Sequence, residues 1–196
     1  MAPRATNPAE KRWIAGALAG DPQEFAHLIQ AYQNPVYNLC YRMLGQHEDA
    51  EDATQETFLR AYTHLHQYDS NRRFLNWILT IASHLCIDRL RKKKLPTLPI
   101  DAAPAPEQAR PNGISPEHIA VAREQADEIQ QCLAQLPADY RTPIILLYWY
   151  GFSYEEIAHI LHLSVPAVKS RLHRARKKLA SLITSQPVSI PTLPTP

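Results

Sequence analysis

Residues 153–178, SYEEIAHILHLSVPAVKSRLHRARKK, set out two short helices joined by a tight turn. Ser153 with Glu156 fits a capping box that opens the first helix. Ile157, Ala158 and Leu161 share one apolar face, and Ala158 is small enough to let a partner helix come close. His162 falls in the turn, and histidine is among the residues enriched at positive φ. Ser164 can cap the second helix, with Pro166 in its first turn, where a missing N–H costs little. Val168, Leu172, Ala175 and Leu179 form an inward stripe, leaving Lys169, Arg171, Arg174, Arg176, Lys177 and Lys178 to point outward. A basic amphipathic helix alone also suits a membrane surface or a calmodulin-type partner. With the capped first helix and the turn at fixed spacing, the pattern points to DNA, since this is how a small protein offers side chains to the major groove.

The bulk composition is that of a globular protein: 45% hydrophobic and 20% charged, with a net charge of +2 over 196 residues. That near-neutral total hides segregation. HEDAEDATQE (47–56) carries five carboxylates and no Lys or Arg, whereas RLRKKK (89–94) carries five basic side chains in six. Local patches, not net charge, therefore decide the partners. Cys40, Cys86 and Cys132 lie far apart with no CxxC, so three buried thiols in a reducing compartment are expected. No apolar run approaches the roughly 20 residues needed to span a bilayer, and the N-terminus has no apolar signal core. A soluble, cytoplasmic protein with no membrane insertion is expected.

No stretch alternates apolar and polar residues as a half-buried strand would, and only five glycines occur. The fold class expected is all-α. Six of the seventeen prolines fall within 95–116 and four within 187–196, as in a flexible connector and a frayed tail. The chain thus divides into a helical domain at 8–94, a Pro-rich linker at 95–116, a second helical domain with the helix-turn-helix at 117–184, and a tail at 185–196. Asp21-Pro22 opens a helix, Asn34-Pro35 ends or kinks it and restarts another, and Gly45 closes that one. Further helices are expected at about 48–66 and 74–92. Ser115-Pro116-Glu117 opens another, ending near Leu136-Pro137. Thr142-Pro143 either opens the next, closing at Gly151, or kinks it.

Four segments carry a family resemblance: DAEDATQETFLRAY (49–62), FLNWILTIASHLCIDRLRKKK (74–94), LPADYR (136–141) and FSYEEIAHILHLSVPAVKSRLHRARKKL (152–179). Together, in this order, they resemble a bacterial RNA polymerase sigma factor of the sigma-70 family, in its small two-domain extracytoplasmic-function (ECF) group. The helix-turn-helix alone is a common pattern; the combination is specific.

Read physically, Asp49, Asp52 and Glu56 share one stripe of the acidic helix, beside an inward stripe of Ala50, Ala53, Thr57, Ala61 and Leu65 flanked by Phe58 and Tyr62. Like charges on one stripe repel, and a basic partner would relieve that; a solvated acidic face explains the stripe equally well. The resemblance implies that Asp49, Asp52, Gln55 and Glu56 dock on the beta-prime coiled coil of core RNA polymerase, with the beta flap a second contact. His47 and Glu51 stand one helical turn apart, but no second histidine completes a metal site. No metal and no cofactor are expected.

Phe74, Ile78, Ile81 and Leu85 make an apolar stripe on the next helix, and Trp77 either packs with them or presents an edge to DNA. Five cations at the exit, Arg89, Arg91, Lys92, Lys93 and Lys94, exceed what dipole capping needs and suit phosphate. The resemblance implies that this helix and the loop before it read the promoter −10 element as single-stranded, flipped bases. Tyr68, Asp69, Ser70, Asn71, Arg72, Arg73, Trp77, His84, Asp88, Arg89, Arg91, Lys92 and Lys93 are the candidates, and polar groups beside an aromatic suit that task. His84 stands where the family pattern usually has Asn. At the −35 element, Lys169, Ser170, Arg171 and Arg174 would contact bases and Arg176 and Lys177 phosphates, with Ser164 and Ala167 at the helix start. Two departures fall here: His162 replaces the usual turn glycine and Ala167 the usual Thr.

A 22-residue Pro-rich linker can reach about 70 Å at ~3.1 Å per residue, enough to set two domains about two turns of B-DNA apart at ~34 Å per turn. The expected function is therefore a non-enzymatic specificity subunit. It would bind core RNA polymerase, bring it to promoter DNA and promote strand opening, and an anti-sigma factor is a further expected partner. Two rivals predict otherwise. A polymerase-independent regulator would be a dimer on a palindrome, and a metal-dependent hydrolase would need a carboxylate–His pocket that nothing here assembles.

Overall fold

A computed structural model describes residues 8–94 and 127–185, and every regular element among them is helical. The helices are α1 (Pro8–Leu18), α2 (Pro22–Leu44), α3 (His47–Thr63), α4 (Phe74–Lys94), α5 (127–134), α6 (Ala138–Tyr148), α7 (Tyr154–Ile160) and α8 (Val165–Ser185), with a 3₁₀ turn at Leu65–Gln67 after α3. The expected linker at 95–116, the helix opening at Ser115-Pro116-Glu117 and the tail from 186 onward lie outside the described residues; Ser185, expected in the tail, closes α8.

The local signals act as the residue types dictate. Asp21 accepts from the Gln23 N–H at 2.8 Å with Pro22 in the first turn, and Gly45 closes α2 in the left-handed region at φ 83°. Pro35 corrects one expectation. It neither ends α2 nor restarts a second helix: α2 runs unbroken through it for 23 residues. An interior proline removes one backbone bond and costs about 3 kcal/mol. Val36, Leu39, Cys40 and Met43, all fully buried beyond it, offset that cost by packing. Pro143 likewise lies inside α6, which opens at Ala138 directly after Pro137.

α1 to α4 form one packed group, with Ala50, Ala53, Thr57 and Ala61 letting α3 approach closely. α6 to α8 form another, around Ile145, Leu146, Ile157, Ile160, Val168 and Leu172. The two groups are not apart: α4 packs on α6 and α7, and α2 on α6, so the buried core is continuous. This explains why α4 is covered on every side from Phe74 to Ile87. Phe74, Ile78 and Leu85 are buried as expected, but so are Leu79, Ala82, Ser83, Cys86 and Ile87. Cys40 and Cys86 are buried and Cys132 is half-buried, none of them in a disulfide.

Candidate nucleic-acid interface

The loop ahead of α4 is held by its own side chains. Asp69 Oδ1 accepts from the Asn71 N–H at 3.0 Å, and the Asn71 backbone bond, followed by the Asn71 side-chain bond and then the Arg72 charge, holds this carboxyl below the usual range. Ser70, Asn71, Arg72 and Arg73 are thereby presented at the surface. Tyr68 is different: it is buried against Phe74 and Trp77, with ring centroids 5.4 and 5.3 Å away. Its hydroxyl donates to the Arg72 carbonyl at 2.5 Å, and burial raises its pKa to about 12. Trp77 packs in the same aromatic cluster and keeps part of its surface exposed.

The basic exit of α4 is not one patch. Arg89 Nη2 donates to Glu56 Oε2 at 2.7 Å and Nη1 to the Asp49 carbonyl at 3.2 Å, while Lys93 Nζ meets Asp49 Oδ2 at 2.5 Å. These two cations therefore face the acidic helix. One turn around, Arg91 points the other way and pairs with Asp139 on α6 at 3.0 Å. Asp88 and Lys92 lie exposed between them.

On α3 the four expected docking residues split in the same manner. Asp49 and Glu56 are half-buried in those ion pairs, and Glu56 also pairs with Arg60 along α3. The Arg89 hydrogen bond, with Arg60 behind it, lowers the Glu56 carboxyl below its usual range. Asp52 and Gln55 are exposed. Leu59, one turn beyond Gln55, is 66% exposed, and Tyr62 46%. Sequence reasoning missed Leu59; its signal was a large apolar residue on the stripe of Asp52 and Gln55, which burial could not explain.

In the helix-turn-helix the expected caps form. Ser153 Oγ accepts from the Glu156 N–H at 3.2 Å, and Glu156 Oε2 accepts from the Ser153 N–H at 2.9 Å. His162 adopts φ 52°, the left-handed turn its position requires. Along α8, Lys169, Ser170, Arg174, Arg176 and Lys177 are exposed, and Ser164 at the cap accepts from the Ala167 N–H at 3.4 Å. Arg176 is steered by Tyr148, donating to its hydroxyl at 3.1 Å. Arg171 is half-buried, 3.8 Å from Asp139.

Side chains between the two helical groups escaped the sequence reading. Arg141 is 6% exposed and donates to the carbonyls of Ala134 at 2.7 Å, Leu136 at 3.0 Å and Met43. Gln130 donates to the carbonyls of Tyr41 and Arg42, so both cap the C-terminal end of α2. Tyr150 donates to the Pro35 carbonyl at 2.5 Å, and Arg42 lies 4.5 Å over the Trp149 ring. Among the described residues no group of three or more His, Cys, Asp or Glu side chains is placed to hold a metal ion, and no helix is long and apolar enough to cross a membrane.

The chain matches the family description Sigma-70 region 2 over residues 28–95 and Sigma-70, region 4 over residues 126–179. It is 42% identical over 176 residues to the ECF RNA polymerase sigma factor SigW of Bacillus subtilis, covering 86% of this chain and 94% of that protein. Its fold is similar to CnrH, solved in complex with the cytosolic domain of CnrY, at TM-score 0.66 and 26% identity over 91% of this chain and 99% of that one. A further fold neighbour is the sigma factor RpoE, solved with the anti-sigma factor NepR from Bartonella quintana, at TM-score 0.62 and 24% identity over 83% of this chain and 98% of that one. With both regions in order and a full-length relative at that identity, the chain belongs to the ECF group of the sigma-70 family of RNA polymerase sigma factors, which are transcription initiation factors and not enzymes.

Proposed function

We propose that this chain is a promoter-specificity subunit that binds core RNA polymerase, brings it to promoter DNA and promotes strand opening in the cytoplasm, and that an anti-sigma protein restrains it. The observation that carries this reading is the separation of surfaces. Asp52, Gln55 and exposed Leu59 form an acidic and apolar strip on α3, while the polar loop before α4 and the basic face of α8 lie elsewhere. A charged rim around one apolar anchor suits docking on a basic partner helix. The α3 strip is the polymerase contact, with the beta-prime coiled coil as its partner and the beta flap contacting the C-terminal helices.

Ser70, Asn71, Arg72, Arg73 and the exposed edge of Trp77 suit capture of unstacked −10 bases, where each stacking contact contributes about 1–3 kcal/mol. Lys169, Ser170, Arg171 and Arg174 suit −35 base edges, with Arg176 and Lys177 on phosphates. The domain limits fitting this division are 8–94 and 117–184. Tethering two such domains raises the effective concentration of the second once the first is bound. Run-off transcription with purified core polymerase on a promoter library tests the reading. Initiation that depends on adding this chain is expected; no dependence rejects it.

A further inference from the structure

His84 on α4 and His162 in the turn before α8 stack across the seam between the two helical groups, ring centroids 5.1 Å apart and planes 3° from parallel. His159 on α7 lies 6.5 Å from His162, and Arg72 donates to its Nε2. Both contacts depend on charge. An imidazole nitrogen accepts from a guanidinium only while it is unprotonated, and two imidazolium rings stacked face to face repel. The turn position also asks for a left-handed backbone, for which glycine is the unstrained choice; the imidazole there makes the cross-seam stack.

The nearby charges divide. From α4, Asp88 favours protonation of His84 and Arg91 opposes it more weakly; from the loop, Arg72, itself paired with Asp69 at 3.1 Å, opposes protonation of His159. The other seam carboxylates are engaged by arginines: Glu156 on α7 by Arg73 at 3.9 Å, and Asp139 on α6 by Arg91 at 3.0 Å and Arg171 on α8 at 3.8 Å. A cavity of about 220 Å³ between Arg91, Asp139 and Arg171 reaches His84, giving a proton a route in.

We propose that the stack of His84 on His162 and the Arg72–His159 contact form a proton-operated latch on domain closure: with His84 and His159 neutral they hold the two helical groups together, and protonation of those two parts them. Its regulatory consequence rests on the promoter-binding reading above. Arg72, Arg73 and Arg91 make contacts across the closed seam, to His159, Glu156 and Asp139, while keeping 52%, 44% and 61% side-chain exposure, so opening frees their charged ends for DNA. Burial first, then His162 and Arg91, hold the His84 imidazole below the usual histidine range; burial first, then Arg72 and His162, do so for His159. The closed form therefore binds fewer protons than the open one. Its stability is complete above about pH 6.5 and falls as pH drops below that value.

Small-angle X-ray scattering of the intact chain, without polymerase or DNA, tests the latch between about pH 7.5 and about pH 5.5. The radius of gyration is expected to rise on acidification, the closed-to-open ratio falling by up to about tenfold per excluded proton. The triple variant His84→Asn, His159→Gln, His162→Gly should lose the response, while His173→Asn, exposed on α8 outside the seam, should keep it. His159→Gln alone, which can accept from Arg72 at any pH, should shed one proton's share and decides the matter if circular dichroism shows the triple variant unfolded. A wild-type radius independent of pH, or an unchanged response in either seam variant, overturns the latch. A normal response with no promoter binding by the open form would instead reject the DNA reading and leave the latch standing.

Discussion

Arg89 and Glu56 form a 2.7 Å ion pair that joins α4 to α3, on the acidic stripe expected to meet a partner. Glu56 is thus committed within the chain before any partner arrives. Its side chain keeps 34% exposure, so screening limits the pair to about 1 kcal/mol or less. The folded-state carboxyl is depressed, so its contribution is present above the unfolded value near 4.5 and lost as pH falls through the folded one. Glu56→Gln should lower stability at about pH 7 by about 0.5–1 kcal/mol and flatten its acid dependence, read from urea midpoints at about pH 7 and about pH 3.

Docking, by contrast, should centre on exposed Leu59. Leu59→Arg, alone or with Asp52→Lys, is expected to weaken core polymerase binding about tenfold or more while leaving the thermal midpoint within about 1 °C, because surface changes of this kind alter stability by less than about 0.5 kcal/mol. Wild-type affinity in a fluorescence-anisotropy titration with core polymerase would falsify this placement.

Arg141 is a buried cation whose hydrogen bonds end on three carbonyls, one of them 98 residues earlier in the chain. Arg141→Ala leaves those buried acceptors unmade and should cost about 2–4 kcal/mol. Arg141→Lys should recover only part, lacking the planar fork. Chemical denaturation monitored at Trp149, near Arg42, measures both.

Gly151 lies three residues beyond the end of α6, not at its cap as expected, and turns the chain at φ 65°, with nothing within 4 Å of an added Cβ. Gly151→Ala therefore isolates the backbone cost of the left-handed region, about 1–2 kcal/mol. A calorimetric loss well above that range would show that a clash, not conformation, selects glycine.

The capping box of α7, the α2 caps, the inward stripes of α3 and α8 and the positive φ at His162 were legible because each depends on residues within one or two turns. That locality also made the helix-turn-helix readable from Ser153 to Lys178, while the family needed the acidic helix, the α4 segment and LPADYR beside it. What the sequence left open involves partners far along the chain. Pro35 and Pro143 look like breaks locally, yet both helices continue because burial beyond each proline outweighs one lost hydrogen bond. RLRKKK (89–94) reads as one basic patch, but helical geometry turns Arg89 and Lys93 toward Glu56 and Asp49, and Arg91 toward Asp139. The unusual histidines at 84 and 162 stand apart in the sequence, and only the packing of α4 against α7 and the following turn brings their rings together. Local propensity and capping chose the helices; shape complementarity over long separations chose which charges are spent inside the chain and which remain for a partner.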